Sequence, residues 1–288
     1  MDNQLTIDKL KDLIHQSGFP FELKIAKKLS QLGFQIEVSH RFYDKAREKE
    51  GEIDIIARWK TILNTDDERT VSCVLDLVVE CKNNSLPFIC FGLDYNVKRE
   101  PENIDNDAWY CKIRTSRDKG APNIVSPFLF SGKDDIKSKH HQFIGQKRYF
   151  SLTSIERKDS KTFKLHLPDE LQRSISKLSA YIQSTDISWR TLSKDRELME
   201  GKHLAFISVT FLTLIHSGKH YRFSIEDNMP EEAKITSVFL NNENSEGQVR
   251  FILDMVNEDA LDDYIKQLKE TFIAVAIKGG SKALSQKI

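Results

Sequence analysis

Hydrophobic and polar positions follow two periods along this chain, and the places where the period changes mark its elements. Leu5, Leu10, Leu13 and Ile14 recur at roughly helical spacing and stop at Gly18. After Pro20 a second helical pattern runs to about Leu32, with proline near its start and Gly33 as a stop signal. The period then drops to two. QIEVSHRFY alternates loosely, and EIDIIARW is expected to place Ile53 and Ile55 opposite Asp54 and Ile56. VSCVLDLVVECK is β-branched and apolar on both faces near its end, the composition of a central strand. LNTDDERT, between the last two, has the composition of a hairpin tip.

Periodicity fades from about Leu86 to Lys139. Pro87, Pro101, Pro122 and Pro127, among many Asn and Asp, predict a loop-rich insertion at about 94–139. HHQFIGQKRYFSLTSIER reads as helical. LPDELQRSISKLSAYIQST is an amphipathic helix with Leu171, Ile175, Leu178 and Ile182 on one stripe. HLAFISVTFLTLIHSG reads as an apolar strand that could turn into a second, and YRFSIED as another. VRFILDMVNE is a strand leading into the helix DALDDYIKQLKETF, with a frayed tail after Gly279. No repeat or low-complexity tract interrupts this order. The expectation is a single α/β domain over 1–288, a central mixed sheet flanked by helices, with sheet strands and helices resuming over 140–278.

Composition narrows the function classes. Of 288 residues, 39% are hydrophobic, enough for a core, and 30% are charged. Lys+Arg and Asp+Glu balance at 43 each, so binding to a polyanion would need a local patch rather than net charge. MDNQLTIDKLKDLIHQ lacks an apolar export core, and FISVTFLTLI is too short to span a bilayer, so a cytoplasmic protein with no membrane partner is expected. Cys73, Cys81, Cys90 and Cys111 form no CxxC pair and read as free, mostly buried thiols. Cys90 and Cys111 with His140 and His141 match no zinc spacing. KSKHHQ, QKRYF and the group Lys24, Lys27, Lys28, Arg41, Lys45 and Arg47 could contact phosphate, or simply be wet faces. Trp59, Trp109 and Trp189 read as packing residues.

One strand end carries unexpected charge. In VVECKN, Glu80 and Lys82 must share a face, with Cys81 opposite. GEIDIIA places Asp54 among isoleucines, where a carboxylate is costly unless compensated. If the two strands pair as a hairpin, Asp54 and Glu80 come together and repel each other. Mg²⁺ answers such a pair, because it takes one or two carboxylates and keeps several waters. Glu22 shares the helical stripe of Ile25, Ala26 and Leu29 and so starts on the inner face. The bland alternative is a structural ion pair, since buried ionic groups need not be functional. Asp76 shares the face of Glu80 and reads as a solvated strand-end residue, with a further polar contact as the alternative, and Asp94 reads as a loop residue.

Glu22, then GEIDIIA, then VVECK, resembles the PD-(D/E)XK nuclease superfamily with its restriction-endonuclease-like fold, most of all the Mrr and Holliday-junction-resolvase branches. The resemblance covers roughly residues 18 to 92. It implies Asp54 and Glu80 as ligands of Mg²⁺, with Mn²⁺ as a substitute, and the carbonyl of Cys81 as a backbone ligand. It implies Lys82 as the catalytic lysine beside the attacking water and Glu22 as a supporting acid. Ile53 stands where many members have proline, and the Asp54–Glu80 separation is longer than in compact members. Gln142, Gln146 and Tyr149 are candidates for a helix behind the site. The implied activity is metal-dependent hydrolysis of phosphodiester bonds, with DNA the expected partner and a homo-oligomer or protein partner possible. The alternative is an inactive module of the same fold that binds nucleic acid or protein. A hydrolase of small phosphorylated metabolites ranks last, because the 12 glycines form no phosphate-cradling loop.

Overall fold

A computed structural model describes residues 6–44, 47–64, 70–83, 87–94, 110–115, 123–124, 147–159, 162–166, 168–184, 204–244 and 247–285. Among the described residues four helices, α1 (Ile7–Gln16), α2 (Phe19–Gln31), α3 (Asp169–Ser184) and α4 (Leu261–Ser285), surround one mixed sheet. The chain is therefore α/β, with a large mixed sheet flanked by helices. Its first strands are β1 (Gln35–Asp44), β2 (Lys49–Asn64), β3 (Thr70–Lys82) and β4 (Phe88–Asp94). Then come β5 (Tyr110–Thr115), β6 (Asn123–Ile124), β7 (Lys147–Arg157) and β8 (Phe163–His166). The last are β9 (Leu204–His216), β10 (His220–Ser224), β11 (Pro230–Ala233), β12 (Ile235–Asn244) and β13 (Gly247–Asn257).

The sheet runs β1-β2-β3-β9-β13-β12-β7-β4-β10-β11. β1–β2 and β2–β3 are antiparallel, and β3–β9 and β9–β13 are parallel. Parallel strands at the centre are covered on both faces, which is why VLDLVV and VTFLTLI are apolar without alternation. One face packs Ile55, Leu75, Leu77, Val79 and Cys81 against Ile25 and Leu29 of α2 and Tyr264, Ile265 and Leu268 of α4. The other packs Ile53, Ile56, Val78, Leu212, Leu214 and Leu253 against Leu171, Leu178 and Tyr181 of α3.

Local signals explain the helix ends. Thr6 accepts the Lys9 N–H at 3.3 Å to cap α1. Gly33, at φ +87°, supplies the left-handed residue that closes α2, and the Phe34 N–H returns to the Leu29 carbonyl. Lys24 and Lys28 reach Glu258 and Asp262, tying α2 to the start of α4.

Several expectations change. The stretch over 147–157 is strand β7, not helix. Its pairing with β4 skips Phe150 opposite Phe91 and Gly92, a bulge that puts Tyr149 and Leu152 on one side and so imitates helical spacing. Ile53 packs on the face of Ile56, with Ile55 on the other, because strict alternation breaks at Asp54. The stretch from 86 holds β4, β5 and β6, and β5 pairs with the first half of β9. Helix α4 continues through Gly279 to Ser285 instead of fraying. β8, β11 and β12 were not expected: β8 alternates over only the four residues FKLH, and β11 and β12 carry no clear alternation. The hairpin tip at 65–69 lies outside the described residues. So do His140, His141, Gln142, Gln146, Trp109, Trp189 and Lys45. No described helix is long and apolar enough to cross a membrane.

Candidate active site

The sheet forks where β2 leaves β3. Their ladder runs from Asn64↔Thr70 to Ile55↔Val79 and stops one residue short of Asp54 and Glu80. From there β2 stays with β1, pairing Ile53 with His40, while β3 stays with β9 as far as Lys82↔His216. A fork leaves ladder groups without a strand partner, and each must be satisfied in another way. Asp54 does this for one of them. Its Oδ2 accepts the Cys81 N–H at 2.8 Å, so the side chain replaces the missing strand contact.

The other oxygen of Asp54 faces α3, where the Lys177 Nζ stands 3.4 Å from Oδ1. The same ammonium lies 2.6 Å from Glu80 Oε1, and Ser174, one turn earlier on α3, donates its hydroxyl to Glu80 Oε2 at 2.8 Å. Lys82, on the Glu80 face as strand parity demands, is 3.9 Å from Glu80 Oε2. Glu80 is fully buried, whereas the Lys82 and Lys177 side chains keep 18% and 29% exposure, so the fork opens to solvent on its basic side.

Charge and burial shape this cluster together. Burial, then the neighbouring Asp54 charge, pushes Glu80 up to about 7, against the pull of Lys177 and Lys82. Burial alone would lower Lys177, but Glu80 and Asp54 outweigh it and hold its ammonium above the ordinary value. Glu22, in the first turn of α2, is raised first by partial burial and then by Asp54, while Lys177 and Lys82 pull it down. It therefore belongs to the same electrostatic group. Cys81 points to the opposite core, and burial keeps its thiol well above the usual range.

Of the residues expected from sequence, Asp54, Glu80 and Lys82 come together at the fork, and Glu22 lies within their field. Tyr149 sits on a strand in the α3-side core, not in a helix behind the site. Asp76 is not solvated. It is buried and takes two bonds from Arg58, at 2.7 and 3.2 Å. The expected basic group is partly spent on ion pairs, Lys24 with Glu258, Lys28 with Asp262 of α4, Arg41 with Glu50 and Arg47 with Asp44. Cys73, Cys81 and Cys90 are buried thiols outside any disulfide, in keeping with the sequence. Trp59 packs edge-on against Phe272. Ser174 and Lys177 were missed. The available signal was two polar residues, Ser174 and Lys177, beside the Leu171–Leu178 stripe of an otherwise apolar helix face.

The donor set suits a hard cation in type and number. Among the described residues no trio of His, Cys, Asp and Glu converges as a metal cage. Mg²⁺ asks for less, one or two carboxylates with water completing its shell. Compared with protein-family models, with characterised proteins and with solved structures, the chain matches none.

Proposed function

We propose that the β2–β3 fork is the centre of a metal-dependent nuclease with a restriction-endonuclease-like core, acting on phosphodiester bonds in DNA. One observation carries the reading. The carboxylates of Asp54 and Glu80, from two strands that part at this point, both contact a single positive charge, the Lys177 ammonium. A cluster that gathers two buried carboxylates around a cation has the charge and oxygen donors for Mg²⁺ or Mn²⁺.

Asp54 and Glu80 would hold the ion, with the Cys81 carbonyl as the expected backbone ligand. Held there, the ion would supply Lewis-acid chemistry, acidifying a nearby water and offsetting charge on the phosphate. Ser174 fixes the Glu80 carboxylate, and the Cys81 N–H fixes that of Asp54, so neither must reorganise on binding. Lys82, partly exposed at the strand end, offers an ammonium to the attacking water or to a phosphate oxygen. Glu22, whose carboxyl is raised by partial burial and by Asp54, is the candidate to take or return a proton.

A second reading has its own support. Lys177 already compensates both carboxylates, so a non-catalytic module of the same fold could keep this cluster as a structural ion network. Incubating plasmid, linear and single-stranded DNA with Mg²⁺, Mn²⁺ or EDTA separates the two. The expected outcome is metal-dependent cutting that falls by at least about 10²-fold in Asp54→Asn and in Lys82→Ala. A folded protein that cuts none of the three substrates and gains no thermal stability from either metal would leave the binding module as the reading.

A further inference from the structure

We propose that Lys177 is an internal placeholder for the cation, and that metal entry drives its ammonium out of the Asp54–Glu80 seat toward the open rim. This rests on the metal reading above and adds a coupled movement that the reading does not require.

The geometry supplies the reasons. The Lys177 Nζ contacts Glu80 Oε1 at 2.6 Å and Asp54 Oδ1 at 3.4 Å, so it lies against the oxygens a cation would need. An ammonium and a divalent ion cannot share that contact, because both are positive and neither has a lone pair to offer the other. One of the two must leave. The carboxylates cannot easily turn away, since Ser174 holds Glu80 and the Cys81 N–H holds Asp54. Helix α3 cannot easily retreat either, since Leu171, Leu178 and Tyr181 anchor it in the core. The free element is the lysine stem, flexible and 29% exposed, which can swing its head to water while its methylenes stay packed. Lys82 does not hold the seat in this way, being 3.9 Å from Glu80 alone.

Two consequences follow. In the metal-free protein Lys177 offsets the repulsion of two buried carboxylates. In the metal-loaded protein the same side chain, displaced to the rim, becomes a second ammonium beside Lys82, where an anionic phosphate would meet it. Metal affinity is lowered by the fraction of molecules in which the lysine holds the seat.

The test is Mn²⁺ binding by calorimetry to the wild type, Lys177→Met, Asp54→Asn and the double variant. Methionine keeps the stem and removes the charge. If the lysine-free arrangement is about a tenth of the population, Lys177→Met binds Mn²⁺ about tenfold more tightly, and Asp54→Asn in the same chain abolishes the gain. Mn²⁺ binding that needs Asp54 in the wild type but is no tighter in Lys177→Met overturns the placeholder and leaves the metal reading standing. No Mn²⁺ uptake by the wild type or Lys177→Met overturns both. Should Lys177→Met fail to fold, lysine acylation of the wild type, read by peptide mass spectrometry, decides instead. Labelling at Lys177 should rise several-fold with Mn²⁺, while Lys24, paired with Glu258, stays unchanged. Unchanged labelling in a protein that Mn²⁺ stabilises would overturn the proposal.

Discussion

At the scale of single residues, buried charge on the α3 face is handled in two ways. At the fork, two carboxylates share an ammonium near solvent. Further along β3, Asp76 is enclosed and meets Arg58 through two parallel bonds. Burial raises the Asp76 carboxyl, and the Arg58 guanidinium pulls it back. This pair has the geometry of a structural lock, with the carboxylate enclosed and only the Arg58 side reaching solvent. Arg58→Met should therefore cost about 3 kcal/mol, because it strands a buried carboxylate without its partner. Urea unfolding of the variant measures this, and a loss under about 1 kcal/mol would mean that Asp76 simply takes up a proton or finds another donor.

At the scale of elements, the β1–β2 ribbon shows how one glycine admits an aromatic ring. Phe42 and Gly51 face each other across the ladder, and a methyl group at Gly51 would lie 2.6 Å from the Phe42 ring. The ring is not free to yield, since Tyr181 of α3 meets it edge-on at a centroid distance of 5.3 Å. Gly51→Ala should lose about 1–3 kcal/mol through overpacking, and Phe42→Leu in the same chain should recover part of it. Thermal melts of the two single variants and the pair check this; strictly additive losses would show that the ring and the methyl do not meet. The same ribbon helps position α3, and with it Lys177 and Ser174, so the site depends on a contact outside it.

At the scale of the whole molecule, a buried histidine pair carries a pH dependence. His216 and His220 are fully buried and 2.9 Å apart, and His220 also meets the Thr236 hydroxyl at 3.0 Å, linking β9, β10 and β12. Burial pushes His216 down to about 4, and burial with its neighbour's charge pushes His220 down to about 3. The unfolded chain binds these protons near 6.5 and the folded one does not. The stabilisation is therefore complete above that value and drains away as pH falls toward 4. Glu80, raised to about 7, works in the opposite sense over 4.5 to 7, because the folded state holds its proton longer. The raised Glu22 and Asp76 carboxyls act in the same sense as Glu80 and reduce the net slope below what the two histidines alone would give. The unfolding free energy should drop by roughly 1 kcal/mol per pH unit between 6.5 and 4.5, and Glu80→Gln should steepen the slope. Denaturant unfolding at pH 7, 6 and 5 gives the answer, and a flat profile would contradict buried neutral histidines.

Much of this molecule was legible in its sequence wherever one element carried the whole signal. Helix α2 with its Gly33 stop, the α3 stripe and the central strand β3 announce themselves through local periodicity and caps. Asp54 and Glu80 stood out because a carboxylate among β-branched residues has to be compensated. What the sequence could not settle depends on distant partners. β7 reads as a helix until its bulge against β4 is known. β4 is a strand because neighbours remote in the chain, β7 and β10, receive its ladders. Lys177, ninety-five residues from Lys82, enters the site only because α3 packs across β1, β2 and β3. Residue chemistry set which groups needed compensation. Tertiary packing decided which charges supply it, because Coulombic contact depends on distance in space and not on position along the chain.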